Sequence, residues 1–122
     1  MAALESIDLT QVVLDVSRNL KVSARRQPAG PPHRIDGLTI GIANLQPGQS
    51  PHNGEMHPDG DEILFVVAGT LVVTGDSSDT PLTLAAGEAC IVRQGEWHLV
   101  DCTEPSTVMY ITPGPGGEAR FA

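Results

Sequence analysis

Between residues 37 and 112 the sequence is a series of short apolar segments, each of which ends at a turn signal. The seven segments cover residues 38–45, 62–67, 70–75, 81–84, 88–93, 96–102 and 106–112. The chain contains 13 glycines and 10 prolines in 122 residues, and many of them lie between these segments. Short segments with regular Gly and Pro punctuation are typical of an antiparallel sandwich or barrel. We therefore predict an all-β fold.

The residues before this stretch have a less regular pattern. Apolar side chains recur at helical spacing in residues 6–20, which predicts a short helix, although the β-branched content leaves a strand over residues 12–16 open. Residues 25–34 contain three prolines and a glycine and are predicted to form an exposed connection. We expect residues 1–36 to pack on a barrel formed by residues 37–112, with residues 113–122 as an irregular C-terminal arm.

Composition excludes several classes of protein. The formal net charge is −8, so no basic surface is available to neutralise the phosphates of a nucleic acid. No apolar stretch reaches the roughly 18 residues that a membrane span needs, and the N-terminus lacks a signal-peptide pattern. We expect a cytoplasmic protein without nucleic-acid or membrane partners. Two cysteines, Cys90 and Cys102, are predicted to be reduced thiols in the core.

A polar stretch precedes the second apolar segment, and it contains candidate metal ligands. Glu55 and His57 are two residues apart, so on a strand both side chains point to one face. Glu62 is five residues from His57, so on an uninterrupted strand its side chain would point to the opposite face. The turn-forming residues 58–60 can return it to the face of Glu55 and His57. Imidazole and carboxylate groups bind zinc, manganese, iron and nickel. The stretch therefore predicts half of a metal site, and His98, which lies early in a later predicted strand just past the turn at Gly95, is the candidate that completes it.

The spacing of these residues resembles the two motifs of the cupin family. The first motif is Gly, five residues, His-x-His, three or four residues, Glu, six residues and Gly, and His57, Glu62 and Gly69 match its later part. The second motif is Gly, five residues, Pro-x-Gly, two residues, His, three residues and Asn, and the sequence matches it at three positions, Gly87, Gly95 and His98. The resemblance covers about residues 37–112. It implies a double-stranded β-helix, the jelly-roll barrel of cupins.

The sequence departs from the motifs at three positions. Glu55 replaces the first motif histidine, Arg93 replaces the proline, and Cys102 replaces the asparagine. Carried over by position, the resemblance implies that one divalent transition metal ion is bound by four residues, Glu55, His57, Glu62 and His98. Two carboxylates favour Mn²⁺ or Fe²⁺ over Zn²⁺ or Ni²⁺, which stay open.

The loop before Glu55 leaves a second interpretation open. Gly48 lies seven residues before Glu55, one more than the motif expects. His52 is therefore an alternative ligand, and in that case Glu55 is a catalytic acid or base. We treat Glu55 and His52 as the catalytic candidates.

The resemblance also implies a function. Cupins bind oxygen-bearing small molecules at a metal inside the barrel, so we expect a metal-dependent enzyme with a small-molecule substrate, either a dioxygenase or a metal-assisted isomerase or lyase. A homodimer is expected, because the apolar strands suit pairing of two copies. A non-catalytic module that binds a metal or metabolite is the alternative. A metal-free scaffold that acts through its dimer surface is the third hypothesis.

Overall fold

The computed structural model describes residues 3–27, 33–50 and 52–121, and every regular element in these ranges is a β-strand. The strands are β1 (Val13–Ser17), β2 (Val22–Arg25), β3 (Gly37–Leu45), β4 (Glu55–Met56), β5 (Glu62–Ala68), β6 (Thr70–Gly75), β7 (Leu82–Ala85), β8 (Ala89–Val92), β9 (His98–Asp101), β10 (Ser106–Gly114) and β11 (Glu118–Ala119). Each of the seven predicted segments coincides with one strand to within two residues at each end. The all-β prediction is confirmed.

The strands form two antiparallel sheets that face each other. The larger sheet has the order β2-β1-β3-β10-β5-β8, and the smaller has the order β11-β4-β9-β6-β7. Consecutive strands β5 and β6 belong to different sheets, as do β8 and β9 and also β9 and β10. The chain therefore crosses repeatedly between the sheets, which is the arrangement of a jelly roll. The predicted double-stranded β-helix is confirmed.

The core lies between the sheets and follows the alternation of each strand. Leu64 and Val66 of β5 point inward, while their neighbours Ile63 and Val67 are exposed. From the smaller sheet, Leu71 is fully buried against them. Because successive side chains point to opposite faces, one apolar residue in two is enough to fill the space between the sheets. Both cysteines are buried and free, in agreement with the predicted core thiols.

The turn between β5 and β6 shows why one motif glycine is needed. Gly69 has a φ of +86°, a backbone conformation that side chains rarely adopt. A Cβ at this position would lie 2.2 Å from the Ser106 hydroxyl oxygen. That oxygen accepts a hydrogen bond from the Thr70 N–H at 2.9 Å, so the glycine lets β10 approach the turn.

The N-terminal helix prediction is wrong, and the strand alternative holds. β1 pairs with β3, with Leu14 opposite Ile40, and buries Val13 and Asp15. The apolar residues of this segment recur at helical spacing, but pairing with β3 makes it a strand, because β-branched residues pack well on an extended neighbour. β2, which pairs with the other edge of β1, was not expected. Residues 28–32 of the predicted exposed connection lie outside the described part of the chain.

The C-terminal arm is also more regular than predicted. β10 continues to Gly114, and β11 pairs with β4, with Ala119 opposite Glu55. The arm therefore forms an edge of the smaller sheet beside the candidate ligands. The division of the chain at residues 36 and 112 stays a prediction. In the described ranges, no helix is long and apolar enough to cross a membrane.

Candidate metal centre

Strand pairing brings the two halves of the predicted site together. β4 lies beside β9 with Glu55 directly opposite His98, so their side chains share one face of the smaller sheet. The Gly95 N–H donates a hydrogen bond of 3.0 Å to the His57 carbonyl oxygen, which ties the end of β4 to the turn before β9. Glu62 approaches from the larger sheet, where it begins β5. The cluster therefore lies between the sheets, at one end of the core.

The four predicted ligands converge on a common point. Glu55, His57, Glu62 and His98 each offer one ligand atom, and these atoms lie within 4.8 Å of one another. His57 Nε2 is 3.4 Å from Glu55 Oε1 and 3.4 Å from Glu62 Oε2. His98 Nε2 is 3.1 Å from Glu62 Oε1 and 3.5 Å from Glu55 Oε1. Two imidazoles and two carboxylates thus face a single centre.

Hydrogen bonds behind the ligands set their orientation. The Glu96 carbonyl oxygen lies 3.0 Å from His98 Nδ1 and accepts a hydrogen bond from it, so that Nε2 faces the centre and offers its lone pair when the ring is neutral. The Thr112 hydroxyl donates a hydrogen bond of 2.6 Å to Glu62 Oε2. His98, Glu62 and Thr112 are almost fully buried, so packing restricts these side chains as well. The site is therefore preorganised on its inner side.

His57 gives an independent test of whether the residues suit a cation. Its side chain is buried, yet neither Nδ1 nor Nε2 has a hydrogen-bond partner within the described structure. Buried polar atoms are almost always satisfied, because leaving one unpaired costs about 1–3 kcal/mol. A cation at the centre would satisfy Nε2. The donor set of two nitrogens and two carboxylate oxygens therefore fits a divalent transition metal ion.

The electrostatics of the cluster keep all four groups charged when it holds no cation. Burial opposes ionisation of His57, but contact with Glu55 and Glu62 outweighs it and raises the pKa of His57 to about 9. The same carboxylates, against the same burial, raise the pKa of His98 to about 10. Although burial favours the neutral carboxyls, the imidazoles hold the pKa of Glu55 and of Glu62 below the usual range. The carboxylates are thus ionised and ready to ligate at neutral pH.

His52, the alternative candidate, lies beside the cluster rather than within it. Its Nε2 is 3.3 Å from Glu55 Oε2, the oxygen that faces away from the other imidazoles. Its Nδ1 accepts a hydrogen bond of 3.2 Å from the Gly54 N–H, so the proton of the neutral ring is on Nε2. His52 therefore contacts the cluster of candidate ligands through Glu55.

An open cavity adjoins the cluster. It has a volume of about 390 Å³, within the range of small-molecule sites, and both Glu55 and Glu62 line it. Apolar side chains from both sheets line much of it, together with polar side chains. A small organic molecule in this cavity would contact the candidate ligands directly.

Comparison with known proteins agrees with this geometry. Residues 41–113, more than half of the chain, match the family described as "Cupin domain". The chain is a cupin. No curated protein sequence matches it.

The solved structures that resemble this cupin include oxalate decarboxylase of Bacillus subtilis. A structure concerned with the Mn(II) centres of that enzyme gives a TM-score of 0.58 at 19% identity, and the match covers 67% of this cupin and 23% of that chain. The same enzyme at pH 4.6 gives equal values. Its S161A mutant gives a TM-score of 0.57 with the same coverage and identity. This cupin thus spans about a quarter of the length of those chains, and the likeness shows the fold.

Sequence reasoning missed some residues around the cluster of this cupin. Thr112 belongs to a predicted strand but not to the predicted site, although inward alternation from the buried Ser106 and Val108 reaches it. The available signal was the polar side chain of Thr112 at an inward-facing position, two such positions after Val108. Arg34 lines the cavity although it lies in the segment predicted to be an exposed connection. Nothing in its local sequence indicated this position.

Proposed function

We propose that this cupin is a metal-dependent enzyme that acts on a small oxygen-bearing organic molecule. The observation that carries the proposal is the convergence of four ligand atoms within 4.8 Å of one another at the wall of an open cavity. Convergent polar groups beside an apolar pocket are the usual arrangement of a ligand or active site. The net charge and the fold alone would not support a reaction.

In this proposal His57, Glu62 and His98 hold one divalent cation and Glu55 completes the set. A cation bound there would act as a Lewis acid toward a carbonyl or enolate oxygen of the substrate. Two carboxylates in the set favour Mn²⁺ or Fe²⁺. His52 moves or holds a proton through Glu55, whose side chain is about a quarter exposed and lines the cavity.

The reaction is either oxygenation of the substrate or a metal-assisted isomerisation or elimination. The two are separated by oxygen uptake, because only the first consumes dioxygen. After reconstitution with iron, manganese or zinc, a panel of small carbonyl and enol compounds is assayed for dioxygen consumption and for product. Stoichiometric metal with compound binding but no turnover would instead support the alternative, a non-catalytic binding module.

Metal analysis of protein purified without chelator tests the site itself. We expect about one transition metal ion per chain in the wild type and loss of that metal in His98→Ala, with the β-sheet circular dichroism retained. The matched control is His33→Ala, because His33 is exposed and is not part of the cluster. Full metal content in His98→Ala would remove the ligand assignment, and a metal-free wild type that cannot be reconstituted would support the scaffold hypothesis.

We also propose that two copies pair through the outer face of the larger sheet. Ile63 of β5 lies opposite Ile91 of the edge strand β8, and these side chains are 39% and 55% exposed. Val67 extends the same face at 48% exposure. A continuous apolar face at a sheet edge is a typical interaction surface. A second copy presents the same face, as a twofold dimer requires.

Light scattering coupled to size exclusion tests the dimer. The wild type should elute as a dimer, and Ile91→Lys should be a monomer because the lysine places a charge in the interface. Leu82→Lys is the control, since Leu82 is 48% exposed but belongs to the smaller sheet. A wild type that stays monomeric at high concentration, or an Ile91→Lys dimer, would contradict this assignment.

A further inference from the structure

We propose that Arg34 forms an anion-binding subsite in the cavity and selects substrates that carry a carboxylate. This inference rests on the proposed function, in which the oxygen-bearing end of the substrate faces the metal centre. Arg34 and the cluster residues Glu55 and Glu62 line the same cavity, so one small molecule can contact both. The carboxylate is the part of the substrate that Arg34 recognises.

The position of Arg34 is set by packing rather than by an ion pair. Its guanidinium carbon lies 5.7 Å from the ring centroid of Tyr110, within cation–π distance. The Cβ of Arg34 lies so close to Gly114 that a Cβ added to Gly114 would be 2.7 Å from it. β10 therefore supplies both the aromatic surface and the gap that accommodates Arg34. The residue is half-buried and borders a second cavity beside Glu55 and His57.

Arg34 differs from most of the other arginines in its partners. Ion pairs to aspartates are formed by four of them, Arg18, Arg25, Arg93 and Arg120. No carboxylate in the described ranges lies within salt-bridge distance of Arg34. Arg26 also has no such partner there, but it is exposed to solvent. A half-buried arginine whose guanidinium has no counter-ion favours an anion from a ligand, and the planar fork of the guanidinium matches a carboxylate.

Within the described part of the chain, two side-chain amides that line the cavity have their NH₂ groups free to act as donors. The Tyr110 hydroxyl donates a hydrogen bond of 3.2 Å to Gln27 Oε1, and the Thr107 hydroxyl donates one of 2.9 Å to Asn44 Oδ1. Both amides line the cavity, and their carbonyl oxygens are engaged by hydroxyls. The NH₂ groups are therefore the parts that can serve a ligand, and they match the acceptor oxygens of an anion.

Charge balance favours a single negative charge on the ligand. A divalent cation would offset Glu55 and Glu62, which leaves Arg34 as the positive group near the centre that no carboxylate of the described residues pairs with. Asp101 also lines the cavity and is ionised, but the N–H groups of Gly48 and Cys102 donate hydrogen bonds to its Oδ1, so its charge is stabilised by backbone donors and not by Arg34. One guanidinium with neutral amides suits a monocarboxylate, whereas a phosphate dianion would leave a charge uncompensated.

Isothermal titration of zinc-loaded protein with 4-oxopentanoate and its neutral isostere 4-oxopentanamide tests the subsite. Zinc is used because it is not redox active. The wild type should bind the carboxylate at least tenfold more tightly than the amide. Arg34→Gln should weaken carboxylate binding by roughly tenfold to a hundredfold and leave amide binding unchanged. Arg34→Lys should recover part of the loss, because it keeps the charge without the fork. Arg26→Gln is the matched control and should bind as the wild type does.

Metal content separates failure of the subsite from failure of the proposed function. Zinc content is measured for every variant, and the titrations are repeated on His98→Ala. If zinc binds but the wild type shows no preference for the carboxylate, the subsite is overturned and the metal centre stands. Equal carboxylate binding by Arg34→Gln and wild type, or no binding of either compound, also overturns it. If zinc does not bind but a preference that depends on Arg34 persists in His98→Ala, the subsite stands without the metal centre.

Discussion

Replacing Thr112 by valine removes one hydroxyl from behind the candidate ligands and changes the side-chain volume very little. The hydroxyl donates a 2.6 Å hydrogen bond to Glu62, and the two residues are 0% and 2% exposed. A hydrogen bond to a charged group contributes about 1.5–3 kcal/mol to stability. We therefore expect Thr112→Val to lower the free energy of unfolding of the metal-free protein by that amount.

The same substitution should weaken metal binding. The Thr112 hydroxyl holds one carboxylate oxygen of Glu62 and so limits rotation of the other, which lies 3.1 Å from His98 Nε2. Loss of a group that orients a ligand typically weakens metal affinity by roughly tenfold to a hundredfold. Affinity is measured by competition with a chelating dye, and stability by urea unfolding after treatment with EDTA.

Thr112→Ser provides the control, because it keeps the hydroxyl and loses only a methyl group. Its metal affinity should stay near that of the wild type, although the lost methyl should cost about 1 kcal/mol of stability. If Thr112→Val binds metal as tightly as Thr112→Ser does, Thr112 does not position Glu62 and the reasoning is refuted.

Three further substitutions test other parts of the fold and site. Glu55→His should give three imidazoles and one carboxylate, and competition assays should show preference moving from Mn²⁺ toward Zn²⁺ or Ni²⁺; unchanged binding would remove Glu55 from the ligand set. Asp15 is buried and accepts hydrogen bonds of 2.5 and 3.2 Å from Arg25, which outweigh burial and hold the pKa of Asp15 below its usual range. Its stabilisation is therefore present above the unfolded pKa of about 3.9 and is lost as pH falls through the lower folded pKa. Asp15→Asn should reduce the free energy of unfolding by about 1–3 kcal/mol at pH 7 and by less below pH 3, and a difference that is constant over this range would contradict the assignment. Gly41→Ala would place a Cβ 2.2 Å from the Tyr110 hydroxyl oxygen. The free energy of unfolding should therefore fall by about 1–3 kcal/mol, which thermal unfolding would detect as a lower melting temperature. An unchanged melting temperature would show that the Tyr110 ring can move away freely.

Much of this fold could be predicted from the sequence because its signals are local. A strand of alternating pattern such as β5 specifies which side chains are buried, and turn formers such as Gly69 specify where it ends. The short strands β4 and β11 carry no such signal, because two residues have no pattern. They exist through pairing with residues far away in the sequence. The N-terminal strand was ambiguous for the related reason that its neighbour decides its conformation.

The candidate ligand types and their spacing can be derived from the sequence alone, because each motif is a short stretch of chain. The folded chain is needed to show that Glu55 lies opposite His98, that Thr112 donates a hydrogen bond to Glu62, and that Arg34 lines the cavity. These contacts depend on register between strands and on packing between sheets. Both are set by interactions summed over the whole chain, so no local stretch of sequence contains them.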